Sequence, residues 1–450
     1  MTHEHTTDWT GRVLRLEVAG PAHGGEFVAR HEGRVVFCRG GITGETVDVL
    51  VEDDPGRAFC RGTVQSVIDV SPHRVETACP AAAAGAGCCD WSHIEPAAAR
   101  GFAGRILAEQ AVRIGRIDPR ADEIPVEAPA GDATATGWRT VARWVTGPDG
   151  RPGVRRARSR DLVMEPCVQP DPRILDAVTV ADVGPGRELL GLLGDDGTVH
   201  VAHRPAVRDE PRGQGSRARR SAATRARARR SRAADWEFVT GGPDVVRRVG
   251  EREWRLPPEA FWQAHRSAAT HYASAVRTAV AQAPGLPDEP VVWDLYGGAG
   301  LFAAAVREAV PGADVTVVES SSASLGAVST TSGSGDPDTA SAAGPGVHTV
   351  RSRVETFLED HAADAGAHPA PDVVVLDPPR GGAGIPVMQR LAEVTRSRIV
   401  HVGCDAASLA RDVGALVAAG WTLTDLRGVA AFPGTHHVEG IAVLDAPVGR

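Results

Sequence analysis

Chemistry in this chain gathers where short apolar runs end. The run Ile399–Gly403 stops at Cys404, and a helix pattern starts at once, with Asp405 placed to cap it and Leu409, Val413, Leu416 and Val417 on its apolar face. A thiol at a helix start gains from the dipole, and its thiolate is a nucleophile, although Asp405 and Asp412 oppose ionisation. The plainer reading of a lone cysteine is a small buried hydrophobe. Three other apolar runs end in acids: Asp294, Glu319 and Asp377. Glu439 follows "FPGTHHV" and precedes the last apolar run, where a carboxylate can act as a general base.

These residues need elements to position them. From about Pro290 the runs "PVVWD", "DVTVVE", "DVVVLD" and "RIVHVGC" alternate with helix-like segments, which predicts a doubly wound parallel sheet. Ligands of such sheets bind outside the carboxyl ends of the strands, so all four tips share one rim. "DLYGGAGLF" is a glycine-rich turn in which Gly298 and Gly300 let backbone approach a ligand. Glu319 is placed to accept from ribose hydroxyls, as both dinucleotides and S-adenosylmethionine (SAM) require. The turn lacks the G-x-G-x-x-G spacing, which argues against a nicotinamide oxidoreductase. In "LDPPRGGAG" two prolines after a strand build a rigid wall. Ser320–Gly346 is Ser/Gly/Ala-rich and reads mostly as a flexible loop.

Earlier in the chain, "RVLRLEV", "RVVFCRG", "ETVDVLVE" and "FCRGTVQSVI" are short alternating strands, which predict a small barrel with Cys38 and Cys60 in its core. "RGFAGRILAEQAVRIGRI" has helical spacing through Ile106, Leu107, Ala111 and Ile114, and "WRTVARWVTGPDGRPGVRRARS" reads as a hairpin turning at Asp149-Gly150. Net charge is −8, which excludes a generally basic nucleic-acid binder. The charge is uneven: Pro211–Arg232 carries nine arginines and no acid, either an RNA-contacting arm or solvated filler. "MTHEHTTDWT" lacks the features of a signal peptide, and no run reaches membrane-span length, so the expectation is a cytoplasmic protein. The seven cysteines then read as thiols, ligands or catalysts.

"FWQ" (Phe261–Gln263), "DLYGGAGLF", "LDPPRGG", "GCDAASLARD" and "FPGTHHVE" stand in the order and approximate spacing of the uracil-5 RNA methyltransferase family, which the chain resembles over nearly its whole length. The resemblance implies a Rossmann-like class I methyltransferase α/β domain over residues 251–446, an N-terminal TRAM-like (OB-like) barrel over 8–71, and a central α+β domain over 72–250 with an Arg-rich insertion at 204–232. It implies SAM as cofactor, held by Gln263, Tyr296, Glu319 and Asp377, with Cys404 as nucleophile and Glu439 as base. The implied substrate is RNA, 23S rRNA in preference to tRNA, and the implied state a monomer. A rival is an RNA-binding protein with a decayed catalytic site. "CPAAAAGAGCCDWSHI" resembles the family's cysteine cluster, so Cys79, Cys88, Cys89 and Cys167 are implied ligands of a 4Fe-4S cluster, with zinc or free thiols as alternatives. The family usually spaces the second pair as C-x-x-C; here Cys88 and Cys89 are adjacent. Gly403, Asp405 and Ala406 stand where Ser, Asn and Pro are commonest.

Overall fold

The computed structural model describes residues 8–119, 122–129, 134–206, 235–328, 346–364 and 368–447. The arginine block and most of the Ser/Gly stretch lie outside them.

Residues Val13–Pro21, Phe27–His31, Arg34–Arg39, Thr46–Asp53 and Phe59–Asp69 close into a five-stranded barrel. Alternation does the work: Leu14, Leu16 and Val18, then Val47, Val49 and Val51, point inward, and Cys38 and Cys60 are fully buried among them. The second strand, Phe27–His31, was not evident from its sequence, because "FVARH" is short and ends in charge. Gly62 is obligatory, since a Cβ there would stand 2.4 Å from the Leu50 carbonyl oxygen of the neighbouring strand.

The middle of the chain forms a six-stranded antiparallel sheet, including the predicted hairpin of Val141–Thr146 with Pro152–Arg155, and helix Pro172–Val180 packs on it. Two pieces of the 72–250 stretch belong elsewhere. Helix Pro96–Gln110 packs against the final helix of the C-terminal region, and the short strand Val126–Glu127 adds to the edge of that region's sheet. The boundary at 250 falls inside a hairpin of Val245–Val249 with Arg252–Leu256. Beyond Gln110 the helix loosens into a π turn over Ala111–Gly115, which rotates Ile114 outward to 48% exposure.

The C-terminal sheet has eight strands, in the order Val347–Arg351, Asp314–Glu319, Val291–Leu295, Val373–Leu376, Arg398–Gly403, Glu439–Asp445, Thr422–Val429 and Val126–Glu127. The first five are parallel, and Glu439–Asp445 runs antiparallel to Arg398–Gly403. Helices on both faces bury near-continuous Val/Ile/Leu strands, as parallel sheets require. The stretch predicted as loop after Glu319 begins instead with helix Ser322–Val328, in which Leu325 docks into the core. No helix among the described residues is long and apolar enough to cross a membrane.

Candidate functional site

Strand register assembles the site. Leu295 lies beside both Val318 and Leu376, so the residues that follow, Tyr296, Glu319 and Asp377, emerge side by side. Tyr296 takes the left-handed conformation (φ 58°), as do Gly298 and Gly300 (φ 55° and 77°), and the chain thereby folds into a tight cradle before helix Leu301–Ala309. The Gly298 amide donates to the Glu319 carboxylate at 3.3 Å, and the Ser321 amide donates to its other oxygen at 2.6 Å. Glu319 is therefore held at the cradle with its carboxylate partly open. Beneath it, wholly buried Asp294 accepts from the Ala303 amide at 2.9 Å, and burial pushes its carboxyl up to about 7.

Two strands along, Gly403 pairs with Gly440 in an antiparallel register, which sets Cys404 opposite Glu439. Cys404 is half-buried and lines a cavity of about 170 Å³ together with His23, Arg380, Asp405, His436 and His437. Burial, reinforced by Glu439 and Asp377, pushes its thiol up to about 11, and Arg380 pulls the other way. The dipole advantage expected at the helix start is thus outweighed by burial and anionic neighbours. Burial also raises Glu439 above the ordinary carboxylate range, and raises Asp377 further with Glu439 beside it. Asp405 caps the helix as predicted, accepting from the Ser408 amide at 2.9 Å.

Asp412 has a larger role than its sequence position suggested. Wholly buried, it accepts from the Ala383 amide at 2.7 Å and the Gly384 amide at 3.1 Å, and it meets His401 at 3.4 Å. Ser408 Oγ donates to the Arg380 carbonyl at 3.0 Å, and Arg411 to that of Gly381 at 2.9 Å. The turn after the double proline is therefore pinned to the helix that begins at Cys404, which fixes Arg380 at the cavity.

Three further groups carried no sequence signal. His23, on the barrel loop, reaches across to Asp405 at 3.1 Å; this pairing raises His23 and, with the Ser408 amide, holds Asp405 well below the carboxylate range despite burial. Tyr272, fully buried on helix Ala268–Ala281, has its phenol raised by burial and by Glu439, Asp377 and Cys404. Asp90 accepts from the His436 amide at 3.1 Å and meets its Nδ1 at 2.5 Å, steadying the loop that leads to Glu439. Gln263 is buried on the loop entering helix Ala268–Ala281, and among the described residues no hydrogen bond joins it to the other site residues.

The four implied ligand cysteines also converge. The sulfurs of Cys79, Cys89 and Cys167 lie within 4.8 Å of one another, and Cys88 Sγ is 3.7 Å from Cys167 Sγ.

With this geometry in hand, similarity to known proteins is informative. Residues 9–64 match the family described as TRAM domain. The chain is 38% identical to an uncharacterised RNA methyltransferase of Corynebacterium efficiens, across 99% of this chain and 97% of that one. It is 32% identical to an uncharacterised RNA methyltransferase of Streptomyces coelicolor, across 97% and 93%. Among solved structures it matches the tRNA (uracil-54, C5)-methyltransferase of Pyrococcus abyssi, in complex with S-adenosyl-L-homocysteine, with a TM-score of 0.63 at 17% identity, over 95% of this chain and 99% of that one.

Proposed function

The chain belongs to the RNA methyltransferase family, and from that premise we propose that it methylates C5 of a uracil in RNA, using SAM, with Cys404 as nucleophile and Glu439 as base. One observation carries the reading: a single strand register sets Cys404, which lines a cavity together with the Arg380 cation, opposite the buried carboxylate of Glu439.

Each group has a task. Uracil C5 is a weak nucleophile. The Cys404 thiolate adds to C6, and the ring electrons move toward O4 as an enolate. Arg380, fixed at the cavity by the Ser408 and Arg411 bonds, is the cation that favours thiolate and enolate alike. SAM supplies an electrophilic methyl group to C5. Its ribose hydroxyls suit the Glu319 carboxylate, while Tyr296, Asp377 and Gln263 would wall its remaining parts. The C5 proton then passes to Glu439, whose affinity for protons burial raises, and the C6–S bond breaks. Burial favours the protonated thiol at rest, so the proton passes to solvent water as sulfur adds to C6, and the sulfur takes a proton back when the C6–S bond breaks. A base in a stacked helix cannot reach this cavity, so the uracil is splayed out.

The preferred substrate is 23S rRNA, with tRNA as the alternative. Helix Ser322–Val328, standing directly after Glu319, argues against a decayed cofactor site. The test is a 5-fluorouridine-substituted RNA mixed with SAM and protein. Fluorine cannot leave C5 as a proton, so the reaction stalls as a covalent adduct. A denaturation-resistant band on 23S rRNA that vanishes in Cys404→Ala, with SAM binding retained, is the expected result. Adduct formation by Cys404→Ala would remove the proposed nucleophile.

The resemblance also brings a 4Fe-4S cluster to the cysteines. Sulfur separations of 3.7 and 3.8 Å from Cys167 to Cys88 and Cys89 are too short for thiolates that each hold a different iron of a cluster, so no step is assigned to one.

A further inference from the structure

The cysteine cluster has the dimensions of a different site. Four sulfurs bound at about 2.3 Å to one tetrahedral zinc stand about 3.8 Å from one another. A four-iron cluster gives each thiolate its own iron and spreads neighbouring sulfurs to on the order of 6 Å. Here the sulfurs of Cys79, Cys89 and Cys167 form a trio within 4.8 Å of one another, with Cys89 Sγ 3.8 Å from Cys167 Sγ, and Cys88, outside that trio, joins it through its 3.7 Å contact with Cys167 Sγ. All four cysteines are free of disulfides, and all but Cys88 are buried.

The chain around them explains the contraction. Cys88 and Cys89 are consecutive, so their sulfurs start from adjacent Cα atoms. The residues just before them have little room to swing outward. The Gly87 amide donates to the Arg155 carbonyl at 3.1 Å, the Ala157 amide donates to that of Gly85 at 3.0 Å, and a Cβ on Gly87 would stand 3.2 Å from Ala157 Cα.

We propose that Cys79, Cys88, Cys89 and Cys167 hold one tetrahedral zinc ion in place of an iron–sulfur cluster. The ion is structural. It fixes Cys89, whose neighbour Asp90 holds His436 on the loop leading to Glu439, so the site braces one wall of the catalytic cavity from outside.

The test does not depend on methyl transfer. The full-length protein is purified without oxygen from cells supplied with both iron and zinc, so that oxidative loss cannot imitate an absent cluster. Metals and acid-labile sulfide are then counted per chain. About one zinc, background iron, no sulfide and no absorbance near 400 nm is the expected result. A mercurial thiol reagent should then release that zinc to a colorimetric chelator as the four thiols react, a readout that needs no folded variant. Iron with sulfide, a lone iron, or no bound metal would each overturn the proposal. Cys167→Ser should lose the zinc while SAM binding persists; full zinc retention in that variant would also count against it.

Discussion

Cys404 and Glu439 are coupled electrostatically. Because Glu439 is among the groups holding the thiol near 11, Glu439→Gln should quicken alkylation of Cys404 by iodoacetamide at pH 9, followed by peptide mass spectrometry, even as methyl transfer is lost. Unchanged or slower labelling would remove Glu439 from the thiol's field. Alkylation of the unaltered protein should rise about tenfold per pH unit up to the thiol pKa, since only the thiolate reacts. Asp294 makes a separate prediction. Its folded-state pKa of about 7 lies above the ordinary 3.8, so the folded protein holds that proton longer than the unfolded chain. Its contribution to stability is therefore lost as pH rises from about 4 to about 7 and is level beyond. Asp294→Asn should flatten this part of the denaturation midpoint's pH dependence; an unchanged slope would mean the carboxyl is ionised in the fold. The proposed site residues stood out in the sequence because strand tips ending in Asp294, Glu319, Asp377 and Cys404 are rare as a set. Tyr272 was not legible, since an isolated Tyr in "ATHYASAVR" reads as ordinary helix core.

At the scale of elements, two fixings decide whether those residues meet. The first is Asp412, which ties the double-proline turn to the helix after Cys404. Asp412→Ala leaves two backbone amides and His401 without their buried acceptor. It should cost about 1–3 kcal/mol of stability in denaturant titration. Arg380 should lose its fixed place, and adduct formation on 5-fluorouridine RNA should fall more than SAM binding. Equal losses in both would make Asp412 merely structural. The second is the barrel loop, which delivers His23 to Asp405 at the cavity mouth. His23→Ala should slow adduct formation about tenfold, a loss of about 1.4 kcal/mol, with SAM affinity unchanged. An unaltered rate would leave the loop a bystander. Sequence patterning showed the alternating strands and the order of the site motifs, because periods of two and glycine turns are local signals. It missed helix Ser322–Val328, whose single anchoring residue, Leu325, gives no helical period. It also missed the destination of Val126–Glu127, since edge pairing with Thr422–Val429 is set by tertiary contact alone.

Over the whole molecule, the three regions read from the sequence do not behave as separable beads. One continuous apolar core runs from barrel residues such as Phe27 through Trp91 and Phe102 to Leu107, then to Leu409 and Leu416 of the helix that follows Cys404. Phe102 is the joint. It is 4% exposed, meets Phe27 edge-on with centroids 5.4 Å apart, and meets Trp91 at 6.4 Å. The barrel, the segment carrying Cys88 and Cys89, and the helix against the catalytic sheet all converge on this ring. The Trp91 indole donates to the Gly25 carbonyl at 3.0 Å, and its amide donates to that of Gly434 at 3.0 Å, so the same residue bonds both barrel loop and catalytic loop. Truncating the joint should be felt everywhere at once. Phe102→Ala should cost about 3–5 kcal/mol, the usual price of an aromatic cavity in a core. Far-ultraviolet and tryptophan signals should then shift together to lower temperature. A barrel that melts ahead of the catalytic domain in this variant would show that the shared core is contact without coupling. Coincident melting would mean that the barrel's hold on His23, and with it the cavity wall, lasts as long as the catalytic fold itself.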